Sequence, residues 1–182
     1  MDNLRVKLTG IAPIIMHNGQ LALPTNSFSR EMKKISSKRK KVDADYEELA
    51  HLEFLGGLYT SDGAVVIPAY VFEGALLGKG GASRKERAGK DAQIAVFVEN
   101  DAELIYDGPK TPHELWVDGR FDFRMPVKIG QATIERTRPM FKKWSCVFDV
   151  RYDLEFVDRD TVVRWLEVAG ERVGLCLSLI HI

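Results

Sequence analysis

Arginine and aromatic side chains are interleaved in residues 136–144, a combination typical of nucleic-acid binding. Guanidinium groups make forked contacts with phosphate, and aromatic rings accept stacked bases. Arg136 and Arg138 are two residues apart on an expected strand, so they point to the same face and could follow successive phosphates of a single strand. Phe141 could stack on a base, with Lys142 beside it, or could pack in the core. For Trp144, core packing is favoured, because it shares a face with apolar neighbours.

Two further runs of basic residues could bind the same kind of ligand. The first run, which contains the acid Glu31, consists of Arg30, Lys33, Lys34, Lys38, Arg39, Lys40 and Lys41. The second, which contains the acid Glu86, consists of Lys79, Arg84, Lys85, Arg87 and Lys90. Together with the 136–144 segment they favour a polyanion as ligand. The alternative is that each run is a solvated loop that keeps the protein soluble.

His17 is the one side chain that suggests catalysis. It follows the apolar segment 14–16 and precedes a turn at Asn18 and Gly19. A histidine there could act as general acid or base in RNA cleavage, because its pKa lies near neutrality. The favoured alternative is a structural histidine whose ring hydrogen-bonds a nearby carbonyl, since the sequence names no second catalytic group.

Other chemistries find no matching motif. The segment 74–80 resembles a phosphate-binding loop, but it has three residues between its first two glycines and a glycine after the lysine. The histidines are scattered, and no Cys-x-x-Cys pair occurs. Glu47, Glu48 and Glu53 are expected to be solvated carboxylates on a helix surface. The sequence therefore predicts no metal and no cofactor, and it favours a protein that is not an enzyme while leaving catalysis by His17 open.

The 182 residues contain 26 basic and 26 acidic side chains, which at first argues against a nucleic-acid partner. The zero net charge is a sum over separated blocks, however: residues 43–54 contain acids and neither Lys nor Arg. The length fits one domain, and no apolar run is long enough to cross a membrane. With two cysteines and no signal-peptide pattern, a cytoplasmic location is expected.

Alternation and turn residues predict a mixture of strands and helices. Strands are expected at 4–10, 64–67, 94–98, 104–106, 121–129, 131–138 and 144–154. Helices are expected from Asp43 or Asp45 to Gly56, over 70–77, as a single turn after Thr111, and over 162–173. Segments 11–29 and 78–90 are expected to be loops, and 31–41 a mobile, solvent-facing basic element. The predicted fold class is α+β, with an antiparallel sheet and helices on one face.

The segment 65–76, Val-Val-Ile-Pro-Ala-Tyr-Val-Phe-Glu-Gly-Ala-Leu, resembles a signature of the RAMP superfamily, the RRM-like RNA-binding proteins of CRISPR effector complexes. In those proteins a strand ending in Ile-Pro and a small residue leads into a helix with Gly-Ala-Leu. The resemblance implies an RRM-like or ferredoxin-like sheet with inserted loops.

The chain also resembles a group of phage-encoded proteins along most of its length. The matching segments are 10–13, 16–18, the basic run before Asp43, 53–59, 106–109, 136–141 and 169–174. In such proteins Val-Gly-Leu continues into a glycine-rich segment, whereas here Leu175 leads into Cys176-Leu177-Ser178. Residues 1–174 are therefore expected to form one RRM-like domain, and 175–182 to be a non-native or truncated tail.

The resulting prediction is a non-catalytic protein of a phage replication or recombination system that binds single-stranded DNA or RNA. Other phage replication proteins are possible partners, no membrane is expected, and a homo-oligomer is left open. The alternatives are a metal-independent RNA endonuclease that uses His17 and a scaffold protein that acts through its charge blocks.

Overall fold

The computed structural model describes residues 1–178. The strands are β1 (Asp2–Thr9), β2 (Ile14–Ile15), β3 (Thr60–Ser61), β4 (Ala64–Ile67), β5 (Val96–Val98), β6 (Ala102–Glu103), β7 (Asp122–Ile129), β8 (Ala132–Phe141), β9 (Ser145–Tyr152) and β10 (Leu177–Ser178). The α-helices are α1 (Ser27–Ser36), α2 (Asp43–Gly57), α3 (Ala69–Leu77), α4 (Ala82–Lys85), α5 (Gly89–Ala95), α6 (Pro112–Asp118) and α7 (Arg159–Arg172), and a 3-10 helix spans Gly19–Ala22.

The first sheet has the order β1-β9-β5 and carries the main core on one face. Strict alternation in β9 buries every second side chain, and β1 pairs with it from Asp2 opposite Tyr152 to Thr9 opposite Ser145. Helices α3 and α7 cover the buried face. Phe72 of α3 stacks on Phe148 with ring centroids 4.0 Å apart, and Trp165 of α7 is almost fully buried.

The second sheet has the order β10-β2-β8-β7, and its long β7–β8 hairpin positions the residues discussed below. The hairpin turns at Gly130, whose φ of +61° is a conformation that favours glycine. β2 pairs with the end of β8, Ile15 lying opposite Met140. A hydrogen bond of 2.8 Å from the Met16 amide to the Pro139 carbonyl extends that pairing by one residue.

A third, small sheet has the order β3-β4-β6 and leads into α3. The turn between β3 and β4 places Asp62 and Gly63 at φ of +50° and +82°, which is the backbone geometry that a two-residue hairpin requires. Pro68 then precedes the first turn of α3, as the Ile-Pro pattern predicts.

Helix α2 connects the second sheet to the basic helix α1. It packs against β8, where a Cβ added to Gly57 would lie 3.0 Å from the Pro139 ring, so the glycine permits the close approach. Helix α1 packs against α2 and buries Ile35, with Phe28 and Met32 half-buried at helical spacing on the same side. The helical part of 31–41 is therefore packed on one side, contrary to expectation, while Lys33 and Lys34 face solvent as expected.

All strand pairings within residues 1–178 are antiparallel, and the predicted α+β class is confirmed. Both predicted loops contain regular structure. The segment 11–29 includes β2 and the 3-10 helix, and 78–90 includes α4, which packs on α3, α5 and α7 through the buried Ala82 and Ser83. Small residues, one of them polar, carry this packing without a visible periodic pattern, which is why the sequence is typical of a loop.

Two short strands also lie at other positions than expected. The predicted strand 94–98 begins at Val96, because α5 continues to Ala95. The predicted strand 104–106 lies at 102–103, with Ile105 forming a single bridge to Ser145. The expected foreign tail lies partly outside the described residues, although Leu177 and Ser178 pair with β2 as β10. Within 1–178, no helix combines the length and apolar character that a bilayer crossing needs.

Candidate nucleic-acid interface

The two faces of the β7–β8 hairpin differ in what covers them. The inner face packs towards α2 and α6 and consists of Asp122, Arg124, Thr137, Pro139 and Phe141. The outer face is opposite and consists of Phe123, Met125, Arg136, Arg138 and Met140, which are all half-buried. Alternation along both strands produces this division.

One row across the outer face combines the three side-chain types that recognise a nucleotide. Arg138 lies directly opposite Phe123 in the β7–β8 register. On the other side of β8, the β2 pairing continued through Met16 places His17 opposite Arg138. Cross-strand neighbours have Cβ atoms about 5 Å apart, so Arg138 and Phe123 are adjacent on this face, and His17 is near enough to Arg138 for the guanidinium to affect its titration. We call His17, Arg138 and Phe123 the cross-strand row.

Arg138 lacks an internal counter-ion within the described part of the chain. Its Nε is shielded from solvent and has no hydrogen-bond acceptor among residues 1–178. Leaving a buried donor of a charged group without an acceptor costs about 1–3 kcal/mol. Because that Nε is shielded, an anion arriving from solvent would bind the other N–H groups of the guanidinium rather than Nε itself.

Arg136, two residues away, is held by a carboxylate instead. Glu53 of α2 is buried, and its Oε1 accepts a hydrogen bond of 3.0 Å from Arg136 Nη1. Its Oε2 accepts from the Thr137 amide at 2.9 Å. The backbone pairing from the β2 side reaches β8 only as far as Pro139. At Thr137 the Glu53 carboxylate accepts the backbone hydrogen bond that a neighbouring strand would otherwise accept. Glu53 is therefore not the solvated helix-surface acid that the sequence predicts.

The charges around His17 keep its imidazole neutral near pH 7. Partial burial lowers the pKa of His17, and the positive charges of Arg138 and Arg136 lower it further, while Glu53 opposes them. The Tyr59 hydroxyl donates a hydrogen bond of 2.9 Å to the His17 carbonyl and fixes the backbone there. The structure thus brings His17 next to charged groups that the sequence could not assign to it.

No protein-family model matches this chain, and neither a curated protein nor a solved structure is significantly similar to it. The chemistry of the interface follows from its own side chains.

The first basic run lies on and just after α1, beside α2. Its exposed members are Arg30, Lys33, Lys34, Lys38, Arg39 and Lys40, with Lys41 half-buried. Lys34 pairs with Glu31 at 2.7 Å, and Lys38 pairs with Asp45 at 2.5 Å. The acidic block of α2 therefore neutralises part of this run, and the remaining cations face solvent.

The second basic run lies in a different part of the molecule. Lys79, Arg84, Lys85, Arg87 and Lys90 are exposed around α4, whose neighbours are α3, α5 and α7. Its acid, Glu86, pairs with Arg164 of α7 at 3.3 Å. The neighbours of α1 are α2 and the 3-10 helix, so the first and second runs lie on separate groups of helices.

The predicted base-stacking role of Phe141 is wrong. Its side chain is fully buried on the inner face, with its ring centroid 4.7 Å from that of Tyr106 and 5.4 Å from that of Phe121. Trp144 is half-buried, and its Nε1 donates to the Ala12 carbonyl at 2.9 Å. Lys142 is exposed in the turn after β8.

Phe123 is the aromatic residue that the sequence does not single out. It belongs to an alternating strand, and its side chain shares the outer face with both arginines. The signal that could have found it is the register: in a hairpin that turns at Gly130, residues whose numbers sum to 261 are cross-strand neighbours.

A cavity of about 440 Å³ lies apart from the cross-strand row, between the end of β1, α3 and α7. Its lining is mainly apolar and includes Phe72, Trp144, Phe148 and Leu166. None of the predicted binding residues lines it.

Proposed function

We propose that this protein binds single-stranded nucleic acid, with the outer face of the β7–β8 hairpin as the main contact surface. The observation that carries the proposal is Arg138, a half-buried arginine with no internal acceptor between a histidine and a phenylalanine. Its guanidinium would bind a backbone phosphate while Phe123 stacks on an adjacent base. No catalytic step is needed for this role.

Exposed cations on neighbouring elements would extend the contact along the strand. Lys142 is exposed directly after β8, whereas the α1 run packs beside α2, the helix of the inner face, and is proposed only as a more distant contact. Phosphate contacts of this kind release counterions, so affinity would fall steeply with salt and would carry little sequence information. The α4 run lies on other helices and is proposed only as a secondary, non-specific contact.

The test is a fluorescence-anisotropy titration with single-stranded DNA and RNA oligomers at two salt concentrations. We expect binding at low salt, and we expect Arg138→Ala to weaken it about tenfold (~1.4 kcal/mol) and to reduce the salt slope by about one. Arg164→Ala removes an equally charged, exposed arginine from α7 and should leave affinity within about twofold. Absence of binding at low salt, or equal loss in both variants, would contradict the proposal.

A metal-independent RNA endonuclease remains the second candidate, because His17 has a charged neighbour in Arg138 that could stabilise a developing phosphorane. The neutral imidazole suits a general base. This function predicts cleavage of RNA in the presence of EDTA that disappears in His17→Ala. Binding of RNA without cleavage would favour the non-catalytic role.

A scaffold role through charge blocks makes a separate prediction. Three acids of α2 already pair within the chain: Asp45 with Lys38, Glu47 with Arg124, and Glu53 with Arg136. These pairs leave fewer acids for a partner's complementary block. A stable oligomer or protein complex that forms without nucleic acid would favour the scaffold.

We further propose an RRM-like relationship to the RAMP superfamily and a phage replication or recombination setting. The support within the fold is the antiparallel sheet β1-β9-β5 with α3 and α7 on one face. An RRM sheet has four strands and binds RNA on its open face. On that face here lie Arg5, Lys7, Phe97 and Arg151. Arg5→Ala plus Lys7→Ala would weaken RNA binding more than Arg138→Ala does if the RRM-like face is the binding surface.

A further inference from the structure

The cross-strand row pairs a cation that lacks an internal acceptor with a neighbouring imidazole, and this pairing has a chemical consequence for ligand binding. Arg138 carries a permanent positive charge beside His17, which disfavours a second positive charge on the imidazole. A phosphate between them would accept from the guanidinium and reverse the sign of the local field. The same imidazole would then be stabilised in its charged form.

We propose that His17 and Arg138 together bind one phosphate group of the nucleic acid, and that His17 takes up a proton as this phosphate binds. The inference rests on the proposed function and specifies how the ligand is held. Protonated imidazole donates from both ring nitrogens, so it would add a charge-assisted hydrogen bond to the contact from Arg138.

The other groups around His17 fit this role. On β8, Arg136 is already bound by Glu53, so its charge is compensated and Arg138 remains the uncompensated neighbour within the described residues. Glu53 of α2 has both carboxylate oxygens engaged, by Arg136 and by the Thr137 amide. The Tyr59 hydroxyl is engaged by the His17 carbonyl, and burial raises its pKa well above the ordinary value, so it stays neutral. None of these groups therefore takes the position proposed for the phosphate between His17 and Arg138.

Proton uptake on binding makes affinity depend on pH through one identifiable residue. In the free protein the pKa of His17 lies below its ordinary value, because of burial and then Arg138. If the bound phosphate raises that pKa, affinity increases as pH falls through the interval between the free and bound values. Exposed lysines and arginines do not titrate in this range.

The experiment measures the dissociation constant of a fluorescein-labelled single-stranded oligothymidylate at several pH values between about 8 and about 5.5 at constant ionic strength. We expect the wild-type protein to bind about threefold to tenfold more tightly at the acidic end, because the bound phosphate favours the protonated imidazole. His17→Gln should bind with a flat profile. His113→Gln, which replaces an exposed histidine on α6, should keep the wild-type slope.

A direct readout accompanies the titration. The imidazole NMR signals of His17 should titrate at higher pH in the complex than in the free protein, and Arg138→Ala should abolish that difference. Oligomers with and without a 5′-phosphate separate a backbone phosphate from a terminal one. An equal slope in His17→Gln, or an unchanged His17 titration in the complex, would overturn this inference while binding itself survives. Absence of binding at every pH would overturn the proposed function as well.

Discussion

Two arginines on the same hairpin show how much the surroundings of a charge decide its role. Arg124, on the inner face, donates to both oxygens of Glu47 at 2.7 and 2.9 Å and also contacts Asp122 at 3.1 Å. Its guanidinium lies over Trp116, 5.5 Å from the ring centroid. Arg138, on the outer face, has a shielded Nε with no acceptor in residues 1–178.

The difference shows why a count of basic residues overestimates the positive charge that some surfaces offer to a ligand and overlooks it on others. Helix α2 supplies acids to the inner face and to the edge of β8, so Arg124 and Arg136 are neutralised by the fold. Within residues 1–178 no carboxylate pairs with Arg138, so its guanidinium is left for an external anion. The predictions below test this contrast.

The largest expected effect separates the aromatic residues of the two faces. Phe141→Ala removes a fully buried ring and should lower the free energy of unfolding by about 3–5 kcal/mol. Phe123→Ala should lower it by only about 1 kcal/mol, because the ring is half-buried, and should weaken nucleic-acid binding by about 1–3 kcal/mol. Chemical denaturation and anisotropy measure the two quantities. Equal destabilisation by both variants would show that the outer face belongs to the core.

Substitutions of Glu53, the carboxylate at the edge of β8, should have a smaller effect. They should lower the stability of the protein, and one of them should strengthen nucleic-acid binding. Glu53→Ala should lower the free energy of unfolding by about 2–3 kcal/mol, less than the ~3–5 expected for a fully buried pair, because Arg136 is about one third exposed. Glu53→Gln keeps an acceptor for the Thr137 amide and should cost about half as much. It also frees Arg136 beside the cross-strand row, so nucleic-acid binding should become tighter and more salt-dependent.

Glu47→Gln is the matched control for that prediction. It removes one of the two carboxylates that bind Arg124 on the inner face, while Asp122 stays at 3.1 Å, and the exposed Glu47 should contribute no more than about 1 kcal/mol to stability. If Glu47→Gln tightens binding as much as Glu53→Gln does, general positive charge rather than the outer face determines affinity.

Elements with strong periodicity or clear end signals could be predicted from the sequence. The helix that ends at Gly57 and the alternating strand β9 have such signals, and both occur where expected. Arg136 and Arg138 were also correctly placed on one face of a strand. The pattern could not say which face of the β7–β8 hairpin meets the core, because apolar residues alternate with charged ones on both strands. The sequence alone therefore left Phe141 open between base stacking and core packing, and the structure buries it.

Long-range partners account for the rest of what the sequence could not reveal. Glu53 and Arg136 are 83 residues apart, and nothing local in either segment indicates their pairing. His17 gains its neighbours only through the short pairing of β2 with β8. The helix α4 was missed because its buried residues are Ala82 and Ser83, which carry no strong hydrophobic signal.

The smallest expected effect concerns the histidines on the two sides of the hairpin. His51 of α2 stacks on Trp116 of α6 with ring centroids 4.9 Å apart, and its Nε2 is shielded without a partner in the described residues. Burial lowers the pKa of His51, and His113, 6.4 Å away between centroids, lowers it further, against a small opposing effect of Glu48. The folded protein therefore disfavours protonation of His51.

The sign of the pH dependence follows from that direction. A histidine whose folded pKa lies below the ordinary value of 6.5 stabilises the protein fully above pH 6.5, and that contribution is lost as pH falls through the folded pKa. Carboxylates with lowered pKa, such as Glu47 and Asp158, act at more acidic pH, below their ordinary values of 4.5 and 3.8. Melting temperature should thus decrease between about pH 6.5 and about pH 5 in the free wild-type protein, and less so in His51→Gln.

Adding single-stranded nucleic acid separates the two histidines in the same measurement. His51 lies on the α2–α6 side and should respond to pH identically with and without ligand. The contribution of His17 to the pH dependence of stability should reverse when ligand is bound, because a bound phosphate favours the protonated imidazole. The ligand-induced rise in melting temperature should therefore be larger at pH about 6 than at about 8. That difference should vanish in His17→Gln and persist in His51→Gln. A ligand-induced rise that is independent of pH in the wild-type protein would place the bound phosphate away from the cross-strand row.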